Sequence, residues 1–285
     1  MEIIFSKDIG FCFGVKRAVK IVEDLIKESE GPFWLLEPIV HNEKVMGKFK
    51  KAGVRLVTSL EEIDKGVLII SAHGEKTEVY RRAKEKGLKI VDTTCPLVTG
   101  AQNLAKKFQS LGYQIFIAGD KNHKEVTGIL EATDKKAIVI SKAKDFSKVK
   151  IEKPTVLISQ TTQSLRNIKE IFKELKKKDK KAKFLNTLCP TCQNRQKEIK
   201  ELAKKADLVL VVGSKSSANT KRLFEIARNK NKNSFLVEGV NDLNKSAIAE
   251  RKRIAITSGT STPDWIIDEV VEKIKTYEKD NPEKN

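Results

Sequence analysis

Four cysteines raise the first chemical question: Cys12 in "GFCFGVKRAV", Cys95 in "VDTTCPLV", and Cys189 with Cys192 in "NTLCPTCQNRQ". A lone cysteine reads as a small buried hydrophobe. Four of them in 285 residues do not suggest a disulfide framework, because a core of this size needs no staples and a cytosolic chain is kept reduced. Three share a local address, each closing an apolar strand-like approach and opening a helical pattern. Val15, Ala18, Val19, Val22, Leu25 and Ile26 line one face after Cys12, and Leu97, Ala101, Leu104, Ala105 and Phe108 do so after Cys95. After Cys189 the face is Ile199, Leu202, Ala203 and Ala206. Pro96 and Pro190 can each start their helix.

If three modules turn these equivalent corners toward one point, three sulfurs meet there. Three sulfurs neither close a tetrahedral structural zinc site nor occupy every iron of a four-iron cluster, so one coordination position stays open. An open metal acts as a Lewis acid on a substrate oxygen, and a cluster also delivers electrons singly. That pairing suits reduction of an oxygenated substrate. Cys189 and Cys192 form a C-x-x-C at a helix start, where the helix dipole lowers a thiol pKa, so a thiol–disulfide protein is the rival. It leaves Cys12 and Cys95 idle. A basic zinc- or nucleic-acid-binding module is a third reading.

The residues after the strand-like runs are polar in a directed way. They are His41-Asn42, His73-Gly74, His123-Lys124-Glu125, Thr161-Thr162, Ser217-Ala218-Asn219 and Thr260-Ser261, and they include all three histidines of the chain. Ligands of open α/β sheets bind beyond the carboxyl ends of the strands. Imidazoles, hydroxyls and amides there suit a phosphate or diphosphate. Glu125 is the one carboxylate of the set, and a low dielectric beside phosphate charge would raise its pKa and make it a proton donor. In "STPDW", Thr262 is expected to cap a helix with Pro263 at its first position.

The elements that must position these residues alternate along the whole chain. "WLLEPIV", "VLIISA", "KIVDTT", "QIFIAG", "AIVIS", "TVLISQ", "LVLVVG" and "RIAITSG" are near-continuous apolar runs between helical patterns, which argues for mostly parallel sheets covered by helices. The matching approaches to Cys95 and Cys189, and cysteine spacings of 83 and 94 residues, suggest an internal repeat of small-domain size. The expectation is an α/β protein of three similar modules with pseudo-threefold symmetry around a central cluster: residues 1–95, 96–188 and 189–272, with 273–285 a mobile tail.

The formal charge of +18 suits an anionic ligand or nucleic acid. The densest basic run, Lys173 to Lys183, contains no aromatic for base stacking and reads as a solvated helix end, so no nucleic-acid partner is expected. "MEIIFSKDIG" lacks a signal-peptide pattern and no apolar run approaches the ~18 residues of a membrane span, so a cytoplasmic protein without a membrane partner is expected.

With the cysteine motifs above, "GDKNHKEVTG", "SQTTQS", "VVGSKSSAN" and "TSGTSTP", in this order from residue 3 to about 270, resemble the 4-hydroxy-3-methylbut-2-enyl diphosphate reductases, the LytB/IspH family. The resemblance implies a [4Fe–4S] cluster on Cys12, Cys95 and Cys189, with an open fourth iron that takes the substrate hydroxyl. It implies diphosphate binding by His41, His73, His123, Ser217, Asn219 and Ser261, with Thr162 and Ala218 beside them. Glu125, His123 and Thr161 would serve catalysis, Glu125 feeding protons and Thr161 close to the substrate hydroxyl. The implied reaction is a two-electron reductive dehydroxylation giving isopentenyl and dimethylallyl diphosphate in the non-mevalonate pathway. A reduced ferredoxin or flavodoxin would donate the electrons, whose acidic surface a basic protein suits. A monomer is expected, with a dimer the alternative. Two features depart from the pattern: Ala218 replaces the middle serine of a Ser-Ser-Asn motif, and Cys192 is a fourth cysteine that the cluster does not require.

Overall fold

A computed structural model describes residues 1–152 and 154–279. Strands and helices alternate as β1 (Glu2–Phe5), α1 (Phe13–Glu28), β2 (Phe33–Leu35), α2 (Glu43–Lys51), β3 (Val54–Leu56), β4 (Val67–Ile70), α3 (Thr77–Glu85) and β5 (Lys89–Asp92). The pattern continues with α4 (Pro96–Ser110), β6 (Gln114–Ala118), α5 (Lys124–Ala132), β7 (Ile138–Ile140), β8 (Thr155–Ser159), α6 (Leu165–Lys178) and β9 (Lys183–Phe184). It closes with α7 (Pro190–Lys205), β10 (Leu208–Val212), α8 (Ala218–Arg228), β11 (Ser234–Val237), α9 (Lys245–Ala249), β12 (Arg253–Ser258) and α10 (Asp264–Lys279).

The strands form three four-stranded sheets, and every pairing within them is parallel. The orders are β3-β2-β4-β5, β7-β6-β8-β9 and β11-β10-β12-β1. These are one topology used three times, and the third copy takes its last strand from the N terminus. The inner strands β4, β8 and β10 are buried at every residue, as parallel strands covered on both faces must be. The helices supply that cover through apolar stripes, such as Ile168, Ile171 and Leu175 of α6 beneath Phe116 and Leu157.

By compactness the chain divides into two units. The larger comprises residues 16–40 and 46–189 and contains the first two sheets; the smaller comprises, among the described residues, 1–15, 41–45 and 190–279 and contains the third.

Three α/β modules are therefore present, with changes at their edges. Residues 1–12 do not group with the first sheet, because Glu2–Phe5 pair with Arg253–Ile256. The "WLLEPIV" run ends as a strand at Leu35, ahead of Pro38, whose ring cannot extend a ladder. The edge strands β3 and β11 are short and interleave exposed residues, so they carry no continuous apolar signal. Leu97 of the stripe after Cys95 is 41% exposed. In the expected tail, residues 273–279 continue α10, and 280–285 lie outside the described residues. Among the described residues no helix is long and apolar enough to cross a membrane.

Candidate active site

The edge strands β5, β9 and β1 each lead into a cysteine that directly precedes a helix, and one backbone contact recurs three times. Cys95 N–H donates to Ala72 O at 3.0 Å, Cys189 N–H to Thr161 O at 2.9 Å, and Cys12 N–H to Thr260 O at 3.1 Å. Each acceptor lies two residues beyond the end of the neighbouring strand, at Ile70, Ser159 or Ser258. A second contact precedes each cysteine by two residues. The Thr93 hydroxyl donates to Ile70 O at 2.5 Å and the Thr187 hydroxyl to Ser159 O at 2.7 Å. At the third corner the residue is Gly10, whose N–H donates to Ser258 Oγ at 2.8 Å. There Arg195 of α7, 1% exposed, donates to Ser258 O at 2.9 Å and Gly10 O at 2.8 Å. Arg17 of α1 adds a comparable tie at Cys95, donating to Thr94 O at 3.2 Å.

All four cysteines are reduced thiols, with Cys12, Cys95 and Cys189 partly exposed and Cys192 buried inside α7. Burial pushes the Cys95 thiol upward, and the charges of Cys189 and Glu125 act in the same direction, so these three groups share one locality. A bare thiolate is disfavoured there; a cationic metal centre would reverse that preference. Each of the three partly exposed thiols precedes a helix, whose N-terminal dipole also favours a thiolate. Each of these thiols is thus chemically suited, in its own corner, to a metal–thiolate bond. Among the described residues no group of three or more His, Cys, Asp or Glu side chains forms an ion site by itself.

The larger unit assembles much of the polar set. Glu125, 3% exposed, is the second residue of α5, and its carboxylate accepts from Thr161 N–H at 2.8 Å and Thr161 Oγ1 at 2.9 Å. Because Cys189 N–H bonds the Thr161 carbonyl, that threonine ties carboxylate to thiol through its own backbone. His123 caps α5 with Nδ1 accepting from Glu125 N–H at 3.2 Å, which leaves its Nε2 as the protonated nitrogen. The His73 ring stands edge-on to it, with centroids 5.9 Å apart. Fully buried Gln160 joins the two loops: its Oε1 accepts from Asp120 N–H at 3.0 Å and its Nε2 donates to the Thr162 hydroxyl at 2.9 Å.

In the smaller unit, His41 O accepts from the Ser261 hydroxyl at 3.3 Å. Ser217 caps α8, accepting from Thr220 N–H at 3.3 Å. Asn219, 2% exposed, is the second residue of α8, and both atoms of its side-chain amide are buried without a hydrogen-bond partner. Such a group costs about 1–3 kcal/mol unless something completes it. Ala218 opens α8, so its backbone N–H belongs to the donors of the first turn whatever its side chain lacks. The Thr262 hydroxyl donates to Val212 O at 3.1 Å.

The profile of the LytB protein family matches residues 3–275. This chain belongs to the LytB family. It is 39% identical over 277 residues to the 4-hydroxy-3-methylbut-2-enyl diphosphate reductase of Campylobacter hominis, covering 97% of this chain and 99% of that one. The protein of the same name from Aquifex aeolicus is 36% identical, with 96% of each covered. Among solved structures, the E-1-hydroxy-2-methyl-but-2-enyl-4-diphosphate reductase of Plasmodium falciparum superposes with a TM-score of 0.91 at 30% identity, covering 99% of this chain and 89% of that one. Another, titled (E)-4-hydroxy-3-methyl-but-2-enyl diphosphate reductase, the terminal enzyme of the non-mevalonate pathway, gives 0.72 at 36% identity, covering 97% and 100%. Within a family of reductases, the dithiol and the zinc- or nucleic-acid-binding alternatives lose their footing.

Sequence reasoning did not single out Arg17, Arg195 or Gln160. Arg195 lies inside the quoted "CPTCQNRQ", where an arginine on a helix that also carries three lysines in its second half reads as surface charge. Thr93 and Thr187 had a legible signal in the shared Thr-x-Cys-Pro spacing.

Proposed function

We propose that this chain is a cytoplasmic iron–sulfur oxidoreductase that converts 4-hydroxy-3-methylbut-2-enyl diphosphate to isopentenyl and dimethylallyl diphosphate. One C–O bond breaks, two electrons and two protons enter, and the oxygen leaves as water. The observation that carries the reading is the thrice-repeated corner, with Cys95, Cys189 and Cys12 in one stereochemical setting. Cys12, Cys95 and Cys189 hold a [4Fe–4S] cluster. When bound, it supplies single electrons and Lewis acidity at its open iron.

The remaining roles follow from the side chains. Glu125 holds the proton for the departing oxygen, and the Thr161 hydroxyl, already in contact with that carboxyl, passes it on at hydrogen-bond range. Nε2–H of His123 donates to the diphosphate, and His41, His73, Ser217, Asn219 and Ser261 are the further diphosphate-binding residues of this reading. Thr162, oriented by Gln160, and the Ala218 N–H complete the polar set. The orphaned Asn219 amide supports this assignment, because a buried donor and acceptor without partners suits a site completed by its ligand. Electrons come from a reduced ferredoxin or flavodoxin, for which a net charge of +18 is complementary, and the chain acts as a monomer.

The test is turnover. Protein purified and reconstituted without oxygen is mixed with the substrate and a reduced viologen, and products are read by mass spectrometry. Both five-carbon diphosphates are expected. A protein with its full cluster that leaves the substrate unchanged overturns the proposal.

A further inference from the structure

The three cysteine corners share the contact of the cysteine N–H and differ in how the strand-end carbonyl is satisfied. At Cys95 and Cys189 a threonine hydroxyl two residues earlier does so. At Cys12 that position is Gly10, with φ +79°, and a Cβ there would run into the Asp264 carboxylate. A threonine is therefore strained by the backbone conformation and would require the Asp264 side chain to move. The carbonyl of Ser258 is met instead by the guanidinium of Arg195, which also takes Gly10 O. One buried planar cation thus closes the strand end and the loop that carries Cys12, two backbone groups that would otherwise be buried without a donor.

We infer that Arg195 is the positioning residue for Cys12, doing with two N–H donors what Thr93 and Thr187 do for Cys95 and Cys189. The inference rests on the reading of Cys12 as a cluster ligand and adds a residue outside the ligand and substrate sets. Loosening the Gly10–Cys12 loop would leave the thiol in place in the sequence but badly held at the metal. Groups that orient metal ligands typically change metal affinity by about 10–100-fold when removed.

The experiment is a double-mutant cycle on iron release to a chelator, followed spectroscopically in anaerobically reconstituted protein, with Arg195→Met, Cys12→Ser, Cys95→Ser and the two doubles. Melting of the metal-depleted proteins runs in parallel. Arg195→Met is expected to release iron about 10-fold faster or more. Its effect should vanish on top of Cys12→Ser but persist on top of Cys95→Ser. Arg195→Lys, which keeps the charge and one donor, should fall between and serves where the methionine variant does not fold. Wild-type release from a folded Arg195 variant overturns the inference, as does an effect equal on both cysteine backgrounds, which marks general destabilisation. If Cys12→Ser alone releases iron at the wild-type rate, the ligand assignment has failed, a result distinct from failure of Arg195.

Discussion

Glu125 and Asn219 occupy the same position in two modules, the second residue of the helix that follows the sheet's second strand, and their surroundings are opposite. Both are buried. Glu125 has two donors from one threonine, whereas Asn219 has no partner for either amide atom. The equivalent residue of the first module is Lys44, exposed, 3.4 Å from Glu269 and 5.6 Å from the centre of the Trp265 ring. One scaffold position thus offers a carboxylate, a neutral amide and an ammonium. The contrast teaches a division of labour. Under the proposed function, the group fixed by donors within the protein is the one that serves proton transfer, and the unsatisfied one is left for a ligand to complete.

That contrast can be broken by substitution. Glu125→Gln keeps an acceptor for Thr161 but holds no transferable proton, so kcat should fall by about 10²–10⁴-fold with KM nearly unchanged; steady-state kinetics with reduced viologen decides, and a KM-only effect would move Glu125 to the binding set. Thr161→Val removes the hydroxyl from Glu125 and should lower kcat, while costing about 1–3 kcal/mol of stability from the under-satisfied carboxylate, read by denaturant unfolding. Asn219→Ala should raise KM by about 10-fold, equivalent to about 1.4 kcal/mol. Unusually, the unliganded protein should lose no stability, because the buried unpaired amide is gone. A drop in melting temperature would show that the amide already has a partner. The smallest effect belongs to Cys192→Ala, which should leave iron per chain and turnover unaltered; loss of iron would make Cys192 a ligand.

Much of this was legible in the sequence because apolar continuity and cysteine spacing are local signals. "VLII", "TVLIS" and "LVLVV" announce parallel strands buried on both faces, and the shared Thr-x-Cys-Pro announces a repeated corner. The third corner concealed itself, because "DIGFC" has neither the threonine nor the proline and its strand pairs with residues some 250 positions away. Arg195 was hidden for the same reason: its partners are Gly10 and Ser258, remote in the chain, and a lone arginine in a lysine-rich helix has no pattern of its own. The edge strands β3 and β11 were too short to show a period. His41 was read as following a strand that runs to Val40, but the strand ends at Leu35 and His41 groups with Ser261 in the unit that does not contain that sheet.

The central claim is that three equivalent corners hold one cluster. Its most direct test is the iron and acid-labile sulfide content per chain of protein purified without oxygen, for the wild type and for each of Cys12→Ser, Cys95→Ser and Cys189→Ser. The account predicts about four of each per wild-type chain and a substantial loss in all three variants. Zinc in place of iron, or a variant at one of these cysteines that keeps its full cluster, would contradict it.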